Sequence, residues 1–345
     1  MFAGGRAMKR DVLADQLKGY ACLLVLFGHV LIGIRTAENL TTPAFARITE
    51  EFIWTFHIDL FMFLSGYVYS ITGGAAAGGS RTRFIAKKFL NLGIPYLLFS
   101  VVYICVNALT PGVNNAGSLR DLLYLPIRPV AQYWFLFALF WLFVLWALLS
   151  RFLKNYMITA GLFTIFLICK YFGVDLGILD SSMNCVLAFG IGTSIHSLRI
   201  QKVPTWVRFG ILPFHVALVT FLLLKNYCQI LLVDDFATLL GIFASICFID
   251  FAVRSKIIAR FLLWVCKYSF PIYLLHTFFT AATRIFLIKL GITDYWIHVA
   301  AGTVIGLALP VLAAKITEKV PLLGFCFYPS RTLKSLRGER NGGKI

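Results

Sequence analysis

Residues 14–30 read "ADQLKGYACLLVLFGHV", apolar but for Asp15, Gln16, Lys18 and His29. Extended by Val12 and Leu13 before it and by Leu31, Ile32 and Ile34 after it, the stretch can cross the ~30 Å hydrocarbon core of a bilayer as one helix. Lipid cannot satisfy free backbone groups, and the alternation of barrel strands is missing, so a helix is the form it must take. It carries charge and no small-residue cleavage site, and is therefore expected to be retained rather than removed as a signal peptide.

Stretches of the same kind recur at about 13–34, 52–72, 89–109, 133–150, 156–173, 183–198, 207–224, 230–253, 268–288 and 296–316, the sixth being short. With 59% of residues hydrophobic and 14% charged, the composition excludes a soluble globule. The expectation is an all-α, polytopic membrane helical bundle of about ten transmembrane helices. It divides into a segment 1–12, a membrane domain 13–316 and a basic tail 317–345. The 8 Cys are scattered singly, without metal-ligand or redox spacing, and read as small buried hydrophobes; no metal is expected. "TGGAAAGGS" at 72–80 reads as a flexible connection, and no internal repeat is visible.

Loop charges set an orientation. Lys9, Arg10, Arg81, Arg83, Lys87, Lys88, Arg151, Lys154, Arg199, Lys202, Arg208, Arg254, Lys256, Arg260 and the tail after Lys315 fall on one side of such a bundle. The other side receives few cations, such as Arg35, Arg47, Arg120 and Arg128. The asymmetry predicts both termini in the cytoplasm. It also accounts for the net charge of +17, which therefore signals membrane lipids as partners and no nucleic acid.

Lys18 and His29 are eleven residues apart, so they share a helix face to within about 20° but stand about 16 Å apart along the axis. Lys18 then lies near the inner end, and His29 just over one turn below the outer surface. "FIWTFHIDLFMFLSGYVYS" places His57 and Asp59 about 160° apart around the second helix, so the two are not expected in one pocket. A carboxylate at that depth needs a partner, for which His29, His57 or an Arg are open. "KYSFPIYLLHTFF" puts Pro271 and His276 in the ninth span, with Arg284 two turns further out.

Four of these stretches together resemble acyltransferase family three, integral-membrane enzymes that O-acylate bacterial glycans. "DQLKGYACLLVLFGH" is similar to the first-helix pattern of Asp, a base, Gly and a His eleven residues after the base: Asp15, Lys18, Gly19 and His29. "FHIDLFMFLSGY" resembles the second-helix Ser-Gly motif, "QYWFLFALF" at 132–140 the aromatic start of the fourth, and "YSFPIYLLH" the late motif ending in His. One departure stands out. Two Arg three apart commonly precede the third-helix proline, whereas "KKFLNLGIPY" offers Lys87 or Lys88 and then Asn91 before Pro95; Asn supplies no charge and Lys lacks the bidentate fork of Arg.

The resemblance implies transfer of an acyl group, usually acetyl, from cytoplasmic acyl-CoA to a hydroxyl of a glycan or lipid-linked saccharide at the outer face of the plasma membrane. Acetyl-CoA is then a substrate, and no cofactor is expected to be bound permanently. Lys18, Arg83, Lys87 and Lys88 are candidates to hold the CoA head. His29 is the candidate general base, with Asp59 to fix its tautomer. Ser65, His276, Arg284 and Trp134 are candidates to stabilise the oxyanion or to meet the acceptor. An acyl-histidine intermediate is a variant of this scheme, and a transporter or glycan-export component is the alternative to it.

Overall fold

The computed structural model describes residues 11–77, 79–109, 119–200, 202–225, 227 and 232–336. Lys9 and Arg10 with nearly all of segment 1–12, Cys228 and the end of the basic tail lie outside the described residues. Fifteen helices follow in order: α1 (Val12–Arg35), α2 (Ala44–Trp54), α3 (His57–Ile71), α4 (Arg81–Lys88), α5 (Ile94–Leu109), α6 (Trp134–Leu149), α7 (Asn155–Phe172), α8 (Asp180–Asn184), α9 (Val186–Ser194), α10 (Thr205–Leu224), α11 (Val233–Ala252), α12 (Lys256–Lys289), α13 (Tyr295–Thr317), α14 (Pro321–Phe327) and α15 (Pro329–Leu336). No strand occurs among the described residues. The protein is an all-α polytopic bundle, with nine helical stretches among the described residues long and apolar enough to cross a membrane.

The expected sixth span is absent from those nine because it is short and broken at Cys185, into α8 and α9. It compensates by burial. Gly66 of α3 and Gly192 of α9 face each other so closely that a Cβ on either would collide with a backbone carbonyl, of Phe189 and of Phe63 respectively. Small residues let helices approach to backbone contact in the absence of a hydrophobic driving force between them.

The second span also starts earlier than its hydropathy suggested and is interrupted. Thr55 Oγ1 donates to the Phe52 carbonyl (2.8 Å), while the Thr55 carbonyl accepts from Thr238 Oγ1 (2.6 Å), so side chains replace the helical ladder at the junction of α2 and α3. In the third span a π-turn, Phe89–Gly93, precedes Pro95, whose missing N–H disturbs the ladder one turn back. The ninth span begins at Lys256, well inward of the expected 268, and α12 runs unbroken through Pro271. Its 34 residues make a helix about 51 Å long, longer than the bilayer core.

α1 lies at the centre, against α12, α13 and α3. Asp11 caps it by accepting from the Ala14 N–H (3.2 Å), and Tyr67 donates its hydroxyl to the same carboxylate (2.5 Å). Tyr69 reaches Ser150 and Ser70 reaches His196 at this same end of the bundle. At the far end Arg35 binds Glu50 through two nitrogens (2.8 and 2.9 Å), fixing α1 to α2. α10 lies at the rim, with only His215, Val219 and Leu222 buried and Trp206, Phe209, Phe214 and Phe221 exposed as on a lipid-facing helix.

Candidate active site

A cavity of about 610 Å³ opens at the Arg35 end of the bundle, between α1, α5, α6 and α12. His29, Trp54, Tyr103, Asn107, Gln132, Trp134, Thr277 and Arg284 line it, with apolar and small residues between them. The half-buried His29 ring stands 4.9 Å from that of His276 and 5.4 Å from that of Trp54, and Trp54 in turn meets His57 at 4.9 Å. Three imidazoles from three spans thus gather at one depth.

The histidines are not equivalent. His276 is fully buried, and its Nδ1 lies 2.9 Å from the carbonyls of both Ile272 and Tyr273. Carbonyls only accept, so Nδ1 carries the proton and Nε2 of the neutral ring presents a lone pair. His57 is fixed the same way, by the Ile53 carbonyl at 2.8 Å. Nε2 of both rings is buried without a partner among the described residues. His276 in its neutral form therefore cannot donate to an oxyanion, the role considered for it from the sequence. The one lining group that carries a buried, unused N–H is Trp54, whose Nε1 has no acceptor among the described residues.

The mouth is set by the turn Ala131–Tyr133 ahead of α6. Gln132 Nε2 donates to Thr277 Oγ1 (2.6 Å), Tyr133 donates to the Leu274 carbonyl (2.9 Å), and Tyr273 donates to the Gln132 carbonyl. These bonds hold Ala131 at φ +45°, an uncommon conformation for a residue with a Cβ, and present Trp134 to the cavity.

Of the residues singled out from the sequence, His29, Arg284 and Trp134 line the cavity and His276 lies directly behind His29. Asp59 does not reach them. It faces away, hydrogen-bonded to the Cys185 thiol with the carboxylates of Asp234 and Asp235 as its electrostatic neighbours, as its angular separation from His57 implies. Ser65 lines a second, smaller cavity of about 130 Å³ with Val25, Leu92, Ser269 and Tyr273, midway along the bundle. Lys18 and Lys87 are electrostatic neighbours of Lys88, on the Asp11 side; Lys88 is half-buried with Nζ 3.3 Å from the centre of the Phe143 ring, while Arg83 and Lys87 are exposed. Among the described residues no cluster of His, Cys, Asp and Glu is arranged to hold a metal.

Trp54, Tyr103, Asn107, Gln132 and Thr277 escaped the sequence reading. For Trp54 a signal existed: it stands three residues before His57, the spacing of one helix face.

A family model described as an acyltransferase domain matches residues 13–315. Nodulation protein NolL of Sinorhizobium fredii (strain NBRC 101917 / NGR234) is 31% identical over 148 residues, which are 42% of this chain and 38% of that protein. Nodulation protein NolL of Mesorhizobium japonicum (strain LMG 29417 / CECT 9101 / MAFF 303099) is 31% identical over 147 residues, 41% and 37% of the two chains. The matched region thus spans well under half the length of these curated relatives. No solved structure matches.

Proposed function

We propose, from the premise that this chain belongs to the membrane acyltransferase family whose domain spans residues 13–315, that it moves an acetyl group from cytoplasmic acetyl-CoA to a hydroxyl of a glycan or lipid-linked saccharide across the bacterial inner membrane. The observation that carries this reading is the placement of one cavity-facing imidazole, His29, at the far end of the bundle from Lys18, Lys87 and Lys88. The cationic group suits the phosphates of CoA. The small cavity at Ser65 lies between the two ends, where a thin pantetheine arm would pass.

His29 acts as general base. It takes the proton of the acceptor hydroxyl as that oxygen attacks the thioester carbon. The C–S bond then breaks, and the imidazolium gives its proton to the departing CoA sulfur, so the products are an ester and a thiol and His29 returns to its neutral form. His276, whose ring packs 4.9 Å from that of His29, holds the His29 ring by contact, the orienting part considered for Asp59. The indole N–H of Trp54 is the donor for the oxyanion, because its proton is buried and unspent among the described residues.

The test is transfer of label from acetyl-CoA to surface glycan of a null strain by the purified protein. Labelled glycan is expected with the parent and none with His29→Ala, at equal expression and membrane insertion. Near-normal turnover in His29→Ala removes the base from the scheme, and glycan moved across vesicles without label makes the protein a transporter.

A further inference from the structure

Among the described residues, Arg284 is the only Lys or Arg that lines the His29 cavity, and no Asp or Glu lines it. Arg35, Arg47 and Arg208 each bind a carboxylate, of Glu50, Glu51 and Asp250 respectively. Arg284 has no such partner among the described residues. The only acidic side chain of the sequence outside them is Glu339.

An arginine near a helix end can instead turn its head to the lipid headgroups. Arg284 does not. Its Nη1 occupies the place where a side chain on Gly33 would begin, with the guanidinium carbon behind it, so the head points end-on at the backbone of α1. Gly33 is four residues beyond His29, about 6 Å further out along the axis. Side chains on α12 also lean toward its amino-terminal end, which here is the direction of His276. A half-buried guanidinium without a counter-charge is costly, and a glycine that makes room for it is a built feature rather than slack.

We propose that Arg284 seats a carboxylate or phosphate carried by the acceptor, so that the saccharide acylated here is acidic and bears its charge within about one sugar ring of the reacting hydroxyl. The flat faces of Trp54, Tyr103 and Trp134 and the amide of Asn107 give the ring itself stacking and hydrogen-bonding partners in the same cavity. The position also argues against Arg284 as an oxyanion donor, because it stands a helical turn outward of the base. The identity of the anion as an acceptor group rests on the acyl-transfer reading; the anion seat does not.

Two measurements test this separately. In the first, the full chain in neutral detergent is titrated with glucuronate, with inorganic phosphate and with the neutral methyl ester of glucuronate, and tryptophan fluorescence is followed. At least one anion should bind where the ester does not. Arg284→Gln should weaken it about tenfold or more, with Arg284→Lys in between. Equal binding of acid and ester, or no effect of Arg284→Gln, overturns the seat. So does displacement of the anion when the detergent is replaced by phosphatidylglycerol nanodiscs, since the occupant is then a lipid headgroup.

In the second, glycans of a null strain are separated by charge and offered with labelled acetyl-CoA. Label should enter the acidic fraction, and Arg284→Gln should raise the acceptor KM about tenfold while leaving that for acetyl-CoA unchanged. Reduction of carboxyl groups, or removal of phosphate, should abolish labelling and thereby tell which anion is read. Label in neutral glycan alone, or a fall in kcat at unchanged acceptor KM, overturns the inference. No label in any fraction while anion binding persists overturns the acyl-transfer reading and leaves the anion seat standing.

Discussion

In the proposed scheme Trp54 and His276 take parts that sequence reasoning had considered for Ser65, Arg284 and Asp59. The indole N–H of Trp54 is the unused donor of the cavity, and a phenylalanine there keeps the edge-to-face contacts with His29 and His57 while removing that hydrogen. Trp54→Phe should therefore lower kcat by about 10²-fold or more with little change in either KM, as loss of one oxyanion donor does. A change confined to acceptor KM assigns Trp54 to sugar stacking instead. His29 was legible through its eleven-residue spacing from Lys18 in the first-helix motif, and His276 through the motif around it. Asp59 was misleading for a geometric reason: depth along a helix is easily read from sequence, but the face it presents depends on which neighbour is packed there, and Cys185, at the break between α8 and α9, could not be placed beforehand. Gln132 and Thr277 were invisible because their bond joins segments 145 residues apart.

At the scale of the element, hydropathy located the long spans and failed where packing replaces lipid. α8 and α9 are short because they are shielded, and the crossing of α9 on α3 depends on Gly66 and Gly192 lying against facing carbonyls. A methyl group at Gly66 has no flexible neighbour to displace, so Gly66→Ala should destabilise the detergent-solubilised protein by about 1–3 kcal/mol or more, read as a lowered Tm. Gly161 of α7 has open space around it, and Gly161→Ala should leave Tm unchanged or raise it. Equal losses at both positions show that the crossing is looser than described. The π-turn before Pro95 and the break at Thr55 were not read in advance, since both follow from competition for single backbone carbonyls rather than from periodicity.

For the whole molecule, the alternation of basic and cation-poor connections was readable at once, and it predicts which end faces the cytoplasm. With the native cysteines removed, Val174→Cys at the exposed end of α7 should react with an impermeant reagent added outside intact cells, and Thr82→Cys in α4 should react only after the membrane is opened. The reverse pattern places donor and acceptor on exchanged sides. The bonds from the turn Ala131–Tyr133 onto α12 carry a further consequence, for motion. The cavity's rim and the backbone that fixes His276 share their hydrogen bonds, so neither can open alone, and their amides should exchange with deuterium as one cooperative unit. Tyr273→Phe removes a bond on the α12 side and should speed exchange at 131–134 as much as at 272–277. On the proposed function an acceptor sugar has to thread past this fixed rim, and the breathing that widens the door also loosens His276, against which the base His29 packs.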